Sequence, residues 1–556
     1  MRRNEPALGQ PPPNEDFLYK LKYWALKNRI SKLAVDELLL ILRDEGFKLP
    51  KSWKTVFKIS QTITITMKSN FKYFCFPIRN LFTRILQEYV SKYHELPNSL
   101  KIAINIDGVS PWKSSKTGFW AVWGMITNLK KKVVIPLTLV YGKGKPKDLN
   151  FLEDTVTALN DLIINGILNS QVVVNQFICD APAKSYVLGI KQFNGERGCG
   201  RCNVKGTKLN NVMTFPSEII AEYRTDAMYR TFQDNNQLPN VRTPLMNIYN
   251  LDMILDFVFD SMHLVYTGVV KKMCKVWIHG NVTFSKLSDI IIENVSEEME
   301  ELVKYLPRKL FARLPKPLKE CDQWKASEGR VFLLYLGVFA LRVQDFPPEL
   351  FKNFQCLFVA ISILENNKLS RDPGTLEYAR TLLKTFFKQC RVLYGQDFLS
   401  YNLHGLLHLT EDVKRFGTLT ENSAFPFESF NINFSNSIRA RAKPLTEFAK
   451  RYFERIDLTF FWTKDVVYDG SCFIYDRNCI EIVSVNNNLA HCRVYQGIDS
   501  YFTYPCDARL INWIRCSCNF QNISLDKNIL TEQQQSLKFK DGNNLIFVPI
   551  LHTGLY

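Results

Sequence analysis

The spacing of apolar and polar residues changes several times along the chain. Residues 1–14 are rich in proline, and we expect them to form a disordered tail. The segment that follows, FLYKLKYWALKNRISKLAVDELLLILRDEGFKLP, carries apolar residues at helical spacing. It predicts an N-terminal helical region over residues 15–95, with two or three helices. This region contains no zinc finger or other recognisable DNA-binding motif.

From residue 101 the pattern is typical of strands. KIAINID, GFWAVWGMIT and KVVIPLTLVYG are three apolar runs, and after a helical stretch (DLNFLEDTVTALNDLIING) VVVNQFICD is a fourth. Three strands, a helix and a further strand is the element order of an RNase H-like α/β fold. Its first and fourth strands lie side by side. Since these two runs end in Asp107 and Asp180, we expect both carboxylates at one edge of the sheet.

The remaining segments predict how this core is interrupted and completed. We assign the first part of the core to residues 96–215, and residues 216–400 are mainly helical and too long for a loop, which predicts a helical insertion domain. Residues 401–462 return to shorter helices that would complete the core. Residues 463–556 alternate like strands and predict a small C-terminal β domain.

Composition limits the class of protein and the kind of partner. A chain of 556 residues with 46% hydrophobic composition is long enough for several domains, and it has no apolar run of about 18 residues and no apolar segment behind its first arginines. We therefore expect neither secretion nor a membrane span. The net charge of +17 favours polyanionic partners such as nucleic acid. Fourteen cysteines without a signal peptide favour a reducing compartment, where a spaced pair binds metal more often than it forms a disulfide.

Two aspartates are candidates for metal-dependent chemistry. Asp107 lies in NIDGVS and Asp180 in ICDAPAK, each directly after a predicted buried strand. Taken singly, each aspartate is more simply explained as the cap of the following turn or helix. Their occurrence at the ends of two strands that should be neighbours favours a shared site.

A second set of residues has the spacing of a zinc site. RGCGRC brings Cys199 and Cys202 to CxxC spacing among glycines, and YNLHGLLHL puts His404 and His408 on one face of a helix. Packed thiols and ordinary helix histidines are the alternatives, and each is about as common as metal binding. Since both pairs flank the predicted core, we favour one Cys2His2 zinc site.

Glu428 is a weaker candidate when only its local sequence is considered. It lies in SAFPFESF among apolar and aromatic residues, where a buried glutamate needs a positive partner. It could instead cap a helix or pair with Arg439 or Arg441. The residues alone do not favour Glu428 over Glu421.

The series NIDG, ICDAPAK, CGRC, DSMH, HGLLH and AFPFES resembles the catalytic core of CACTA/Mirage/Chapaev-type DDE transposases, and is similar in order and spacing to the catalytic subunit of the V(D)J recombinase. The resemblance covers about residues 101–460. It implies that Asp107, Asp180 and Glu428 hold two Mg²⁺ or Mn²⁺ ions and that the Cys2His2 set holds structural zinc. The histidines are HxxxH, whereas some relatives have one more intervening residue.

The resemblance also implies a function and its partners. It implies a nuclear transposase that cuts and rejoins double-stranded DNA at transposon ends and target sites and acts as a homodimer. His263, in DSMH, would support the active site or be a buried structural histidine. Basic residues near the core are candidates for DNA contact, although each could lie on a solvated loop: Lys184, Arg197, Arg201, Arg439, Arg441 and Lys443. The alternatives are a host-adopted, non-cutting transposase relic and an RNase H-like nuclease.

Overall fold

The computed structural model describes residues 13–28, 30–57, 63–112, 116–218, 220–282, 285–308, 310–311, 313–438, 442–456, 467–475 and 478–552. Helices and several sheets are both present, so the predicted α/β class is confirmed. Within these residues, the helices are too short or too polar to cross a bilayer. Arg439 and Arg441 lie outside the described residues.

Three N-terminal helices form a small cluster with a core of their own. They are α1 (Pro13–Lys27), α2 (Lys32–Asp44) and α3 (Trp53–Val56). Ser31 caps α2 by accepting a hydrogen bond from the Ala34 amide at 3.1 Å, which satisfies one of the free donors of the first turn. The apolar faces of the helices meet around Val35, Leu39 and Trp53.

Within the helical region predicted over residues 15–95, residues 66–75 form two strands instead of a helix. A hairpin of β1 (Thr66–Lys68) and β2 (Phe71–Cys75) precedes α4 (Ile78–Tyr93). Ser69 and Asn70 have φ of 48° and 66°, the left-handed pair that a tight hairpin turn requires. The partner of β2 is a strand more than 60 residues further along the chain, so local spacing gave no indication of it.

A six-stranded sheet forms the centre of the molecule. It contains the hairpin together with β3 (Ser99–Val109), β4 (Thr117–Ile126), β5 (Val134–Lys143) and β6 (Gln171–Phe177), in the order β1-β2-β5-β4-β3-β6. Helix α5 (Glu153–Asn165) connects β5 to β6, and α6 (Ala181–Val187) follows β6. The central strands are buried on both faces, which explains why they are nearly continuous apolar runs rather than alternating ones.

The pairing of β3 with β6 brings the two aspartates to one edge. These strands are parallel, whereas the other neighbours in the sheet are antiparallel. Ile104 is in register with Phe177, so Asp107 and Asp180 both lie three residues beyond a matched pair. The buried Asn105 side chain ties the ends together by donating to the Ile178 carbonyl at 2.7 Å.

A large helical segment follows the core. After the short hairpin of β7 (Thr207–Leu209) and β8 (Val212–Thr214), the helices are α7 (Asp226–Arg230), α8 (Lys271–His279), α9 (Asp289–Val303), α10 (Ala326–Val331), α11 (Gly337–Ala340), α12 (Pro348–Glu365) and α13 (Pro373–Tyr394). Two stretches, Met262–Val270 and Phe332–Leu336, are wound as π-helix, a form that occurs frequently at functional sites.

The chain then returns to the central sheet. The returning helices are α14 (Tyr401–Gly405), α15 (Leu409–Phe416), α16 (Phe425–Ser437) and α17 (Pro444–Arg455). Helix α16 is fixed on β4, because the Trp123 indole donates to the Asn431 side chain at 2.9 Å and Phe434 packs edge-on against Phe119 and Trp123.

An eight-stranded sheet forms the C-terminal part of the described chain. Its strands are β9 (Cys472–Tyr475), β10 (Asn478–Asn486), β11 (Leu489–Tyr495), β12 (Gly497–Asp499), β13 (Ile514–Ser517), β14 (Gln521–Asp526), β15 (Gln534–Asp541) and β16 (Asn544–Pro549), with α18 (Lys527–Thr531) between β14 and β15. Trp513 packs against Phe339 and Phe358 of the helical segment, with ring centroids 5.3 and 5.2 Å away.

Candidate active site and metal centre

The structure brings Asp107, Asp180 and Glu428 close together. Asp107 ends the buried part of β3, Asp180 precedes α6, and Glu428 lies in the first turn of α16. All three side chains are half-buried. The carboxyl groups of Asp107 and Glu428 are within hydrogen-bonding reach of each other, and the charge of Asp180 acts on both. Residues far apart in sequence thus form one acidic cluster, which we call the carboxylate site.

The capping roles considered from the sequence are also present. Asp180 accepts a hydrogen bond from the Ala183 amide at 2.7 Å and so caps α6, and Asp107 accepts from the Gly108 amide at 2.6 Å. Each of these bonds uses one carboxylate oxygen. Carboxylates have a second oxygen and further lone pairs, so capping leaves both side chains able to bind a cation.

Electrostatics within the carboxylate site strongly favour an added positive charge. Burial raises the pKa of Asp107 to about 8, and the nearby charges of Asp180 and Glu428 add to the shift. Burial also raises the pKa of Glu428, although His263 partly offsets this effect. At neutral pH and without a cation, Asp107 therefore keeps its proton, because a further negative charge here is costly.

His263 is the positive group of this site, and Asp260 is its partner. His263 lies in the first π-helical stretch, is 39% exposed, and its Nδ1 is 2.5 Å from the buried Asp260 carboxylate. Burial alone would lower the pKa of His263, but Asp260, Asp180 and Glu428 together raise it to about 9. Because Asp260 occupies Nδ1, the Nε2–H of the charged ring remains available to a ligand.

Asp260 is the functional residue that our reading of the sequence missed. Besides His263, its carboxylate accepts hydrogen bonds from the amides of Met262 at 3.0 Å and Ala424 at 2.8 Å. It therefore joins the start of the π-helix to the start of α16 and positions Glu428. The signal was present in DSMH, which begins with this aspartate, but only the histidine of that motif was considered.

Glu421 lies elsewhere. Its carboxylate is 3.7 Å from the Lys132 ammonium, beside a groove that Arg371 and Arg415 also line. Glu428 is among the charges that raise the pKa of Asp107, whereas the nearby charged partner of Glu421 is Lys132. Of the two glutamates, Glu428 is thus the member of the carboxylate site. A pairing of Glu428 with Arg439 or Arg441 falls outside the described residues.

The four zinc-ligand candidates meet in a buried cluster. Cys199, Cys202, His404 and His408 are completely buried, and one donor atom from each lies within 4.8 Å of the others. The sulfur atoms are 3.7 Å apart, the two Nε2 atoms 3.2 Å apart, and the sulfur–nitrogen contacts are 3.6 and 3.3 Å. This cluster can hold a metal ion. Among the described residues, it is the only set of three or more such donors this close together.

The dimensions of the cluster fit a tetrahedral site. With Zn–S bonds of about 2.3 Å and Zn–N bonds of about 2.05 Å, the edges of a tetrahedron are about 3.8 Å between sulfurs, about 3.3 Å between nitrogens and about 3.6 Å between unlike atoms. The sulfur–sulfur, nitrogen–nitrogen and two sulfur–nitrogen separations lie within about 0.3 Å of these values, and the other two sulfur–nitrogen separations are below 4.8 Å. Burial would raise the pKa of Cys199, but the Cys202 hydrogen bond and the charges of both histidines hold it well below its usual range. Cys199 is thus suited to bind as a thiolate.

Two residues predicted to contact DNA are buried instead, and we correct that interpretation. Arg201 is 1% exposed and forms an ion pair with the equally buried Asp412 at 2.7 Å. Lys184 is 4% exposed and donates to the Phe257 carbonyl at 2.5 Å. Both side chains have partners within the protein. Arg201 thereby fixes the turn that carries Cys199 and Cys202, and Lys184 fixes the chain that follows β6.

The other basic candidates remain compatible with a DNA contact. Arg197 is half-buried and donates to the carbonyl and side chain of Asn203 at 3.1 and 2.6 Å. Lys443, just before α17, is exposed. Their roles as phosphate contacts stay predictions.

One short segment connects the metal cluster to the carboxylate site. Phe257 pairs with Phe177 at the end of β6, and the Phe259 ring stacks on His408 at 5.3 Å. Asp412, the partner of Arg201, accepts the Phe259 amide at 2.8 Å, and Asp260 follows directly. We call residues 257–260 the bridging segment. It is held at the metal cluster by ring stacking and at the carboxylate site by Asp260.

Comparison with known proteins adds no assignment to this geometry. No protein-family model and no curated protein matches the sequence.

Proposed function

We propose that this protein is a transposase-like enzyme that cuts and rejoins DNA, using two divalent cations bound by Asp107, Asp180 and Glu428. The observation that carries the proposal is the meeting of three carboxylates from three distant parts of the chain, in a site where burial and mutual repulsion raise the pKa of Asp107 to about 8. Groups with such strongly shifted pKa values cluster at functional sites.

The residues fit divalent cations. Four carboxylates, counting Asp260, are balanced within the site by one charged group, His263. Mg²⁺ and Mn²⁺ prefer carboxylate oxygens, and a cation would take the place of the proton on Asp107. Two such ions about 3.5 to 4 Å apart are the arrangement with which metal-dependent enzymes cleave phosphodiesters.

The topology supports an RNase H-like core with a helical insertion. Three antiparallel strands, β3 to β5, are followed by a helix and by β6, which lies parallel to β3, and the long helical segment separates Asp180 from Glu428. This is the arrangement that the resemblance to DDE transposases implies.

Bound divalent cations would activate water and stabilise the leaving 3′-oxygen. The chain's own residues orient the reaction. Asp107, Asp180 and Glu428 would hold the cations, and the charged His263, held by Asp260 through Nδ1, would donate from Nε2 to a phosphate oxygen. The net charge of +17 provides the attraction that brings DNA to the site.

We propose that the Cys2His2 cluster holds structural zinc. Four protein ligands in a closed, fully buried site leave no open position for substrate. Through the bridging segment, the zinc would stabilise the arrangement of Asp260 and α16.

The test is a nicking assay on supercoiled plasmid with Mg²⁺ or Mn²⁺. We expect metal-dependent nicking by the wild type. Asp107→Asn and Glu428→Gln should each lower the nicking rate by at least about a hundredfold, because each removes the charge of a metal ligand. The matched control Glu421→Gln should keep near wild-type activity. Activity in Asp107→Asn equal to that of the wild type would overturn the mechanism. A wild type that binds DNA but does not nick it would establish the non-cutting relic, and preferential cleavage of an RNA–DNA hybrid would establish the nuclease.

A further inference from the structure

Beside the carboxylate site lies a cluster that the proposed chemistry does not use. Trp120 and Tyr186 have ring centroids 4.7 Å apart, and the Lys145 ammonium lies 3.8 Å from the centre of the Tyr186 ring and 5.3 Å from that of Trp120. Both aromatic side chains are half-buried and Lys145 is exposed. We call these three residues the aromatic–lysine cluster.

The fold fixes this cluster next to the reacting groups. Trp120 on β4 is in register with Gly108, which directly follows Asp107 on β3. Tyr186 lies on α6, the helix that Asp180 caps, and its hydroxyl donates to the Pro146 carbonyl at 2.8 Å. That hydrogen bond holds the loop that carries Lys145. Each aromatic residue is therefore attached to an element that positions a catalytic aspartate.

Lys145 is held in place by rings and not by a carboxylate. Among the described residues it takes part in no ion pair, although the charge of Asp180 reaches it. An exposed ammonium that is oriented by two aromatic rings beside an acidic site is suited to an anionic ligand. A lysine bound to a neighbouring carboxylate would first have to give up that partner.

The surface next to Trp120 is open. Gly108 is exposed, and a side chain at this position would begin 3.7 to 3.9 Å from the indole atoms Cε2, Cζ2 and Nε1. Glycine thus leaves the indole uncovered on the side of β3. Neighbouring residues of a strand point to opposite faces of the sheet, so the Trp120 ring lies across the sheet from the Asp107 side chain. The cluster adjoins the carboxylate site through Asp180, which caps α6 and whose charge acts on Lys145. An aromatic ring and a lysine along an electropositive path are the elements with which proteins hold single-stranded nucleic acid.

We propose that the aromatic–lysine cluster is a nucleotide-binding subsite, in which Lys145 pairs with a backbone phosphate and Trp120 stacks on the adjoining unpaired base. The subsite rests on the proposed function, because the nucleotide that it would hold belongs to the DNA strand being cut and is no longer base-paired. Any base can stack on an aromatic ring, so the subsite would bind unpaired nucleotides without preference for their sequence.

The first experiment locates the base. The probe is a pentanucleotide, dT2-(5-iodo-dU)-dT2, irradiated on the zinc-loaded full chain in Ca²⁺, and the crosslinked peptide is identified by mass spectrometry. We expect the crosslink at Trp120. Trp120→Ala should lose it and bind the probe about tenfold more weakly, the scale of one lost base–aromatic stack, whereas Trp120→Phe should recover most of the affinity.

The second experiment tests the phosphate contact and the unpaired base. Lys145→Ala should reduce the slope of log affinity against log salt by about 0.7, the value for one phosphate of a single strand. Lys147→Ala, an exposed lysine of the same loop, should leave the slope nearly unchanged. Trp120→Ala should weaken binding to a duplex with a two-base mismatch bubble but not to the fully paired duplex.

These outcomes separate the subsite from the proposed function. A crosslink elsewhere, equal effects of Lys145→Ala and Lys147→Ala, or equal weakening on paired and mismatched duplexes would overturn the subsite while cleavage by the carboxylates stands. If Asp107→Asn kept both nicking and the crosslink, the proposed function would fail and the subsite would remain. Polyphosphate binding that depends on Trp120 would also overturn base stacking, because polyphosphate has no bases.

Discussion

The metal cluster and the carboxylate site both draw their residues from segments 96–215 and 401–462, but they differ in burial and in electrostatics. The Cys2His2 donors are completely buried and lie within 4.8 Å of one another. The three carboxylates are half-buried and carry raised pKa values at Asp107 and Glu428. A closed site suits a resident structural ion, and an open, electrostatically strained site suits ions that arrive with substrate.

The largest effect should come from breaking the metal cluster. Cys199→Ala or His408→Ala should abolish bound zinc and lower the free energy of unfolding by several kcal/mol, because metal binding is coupled to folding. Metal content is measured by atomic spectroscopy and stability by denaturant titration. The matched control is Cys274→Ala, a completely buried cysteine outside the cluster, which should keep its zinc. Unchanged zinc content in His408→Ala would contradict the assignment.

A smaller effect should come from the residue that links the two sites. Asp260→Ala removes the acceptor of four hydrogen bonds and should lower the free energy of unfolding by about 2 to 3 kcal/mol while zinc stays bound. Asp260→Asn keeps one acceptor oxygen but loses the charge. The pKa of His263, followed by NMR titration, should then fall from about 9 toward its usual value. A pKa still near 9 in Asp260→Asn would assign the shift to Asp180 and Glu428.

The third test is a pH dependence of the metal-free carboxylate site. The pKa of Asp107 is about 8 in the folded protein against 3.8 ordinarily, so between pH 4 and 8 the folded state keeps a proton that the unfolded chain has lost. Stability should therefore decline as pH rises through this window. His263 adds a decline of the same sign between pH 6.5 and about 9.

Thermal unfolding at a series of pH values measures this dependence. Asp107→Asn should flatten the curve between pH 4 and 6, where His263 does not contribute, and Mn²⁺ should stabilise the wild type most at high pH. If the wild type and Asp107→Asn had the same pH profile, the raised pKa of Asp107 would be wrong.

The parts of this fold that could be predicted are those with local signals. Four apolar runs gave the central strands, and the register of Ile104 with Phe177 then carries Asp107 and Asp180 to one edge. CxxC and HxxxH are short patterns whose spacing already orients two ligands, and the structure brings both pairs together. The choice of Glu428 over Glu421 had no local signal and came from resemblance.

The parts that could not be predicted depend on partners distant in sequence. Lys184 and Arg201 looked like DNA-binding residues because their charge is visible in the sequence, whereas the Phe257 carbonyl and Asp412 that bury them are not. The pairing of β2 with β5 was hidden for the same reason. Asp260 itself is visible in DSMH, but its hydrogen bond from the Ala424 amide, 164 residues further along the chain, has no local signal.

The length of chain between the halves of the metal cluster has a consequence for synthesis. Cys202 and His404 are 202 residues apart. A ribosome that adds about 5 to 20 residues per second needs about 10 to 40 s to supply the second half. During that interval the cysteine pair is a half-site with reactive thiols, open to oxidation or to a wrongly chosen metal. Production of active protein should therefore depend on how well the cell keeps thiols reduced and zinc available while the chain is still being made.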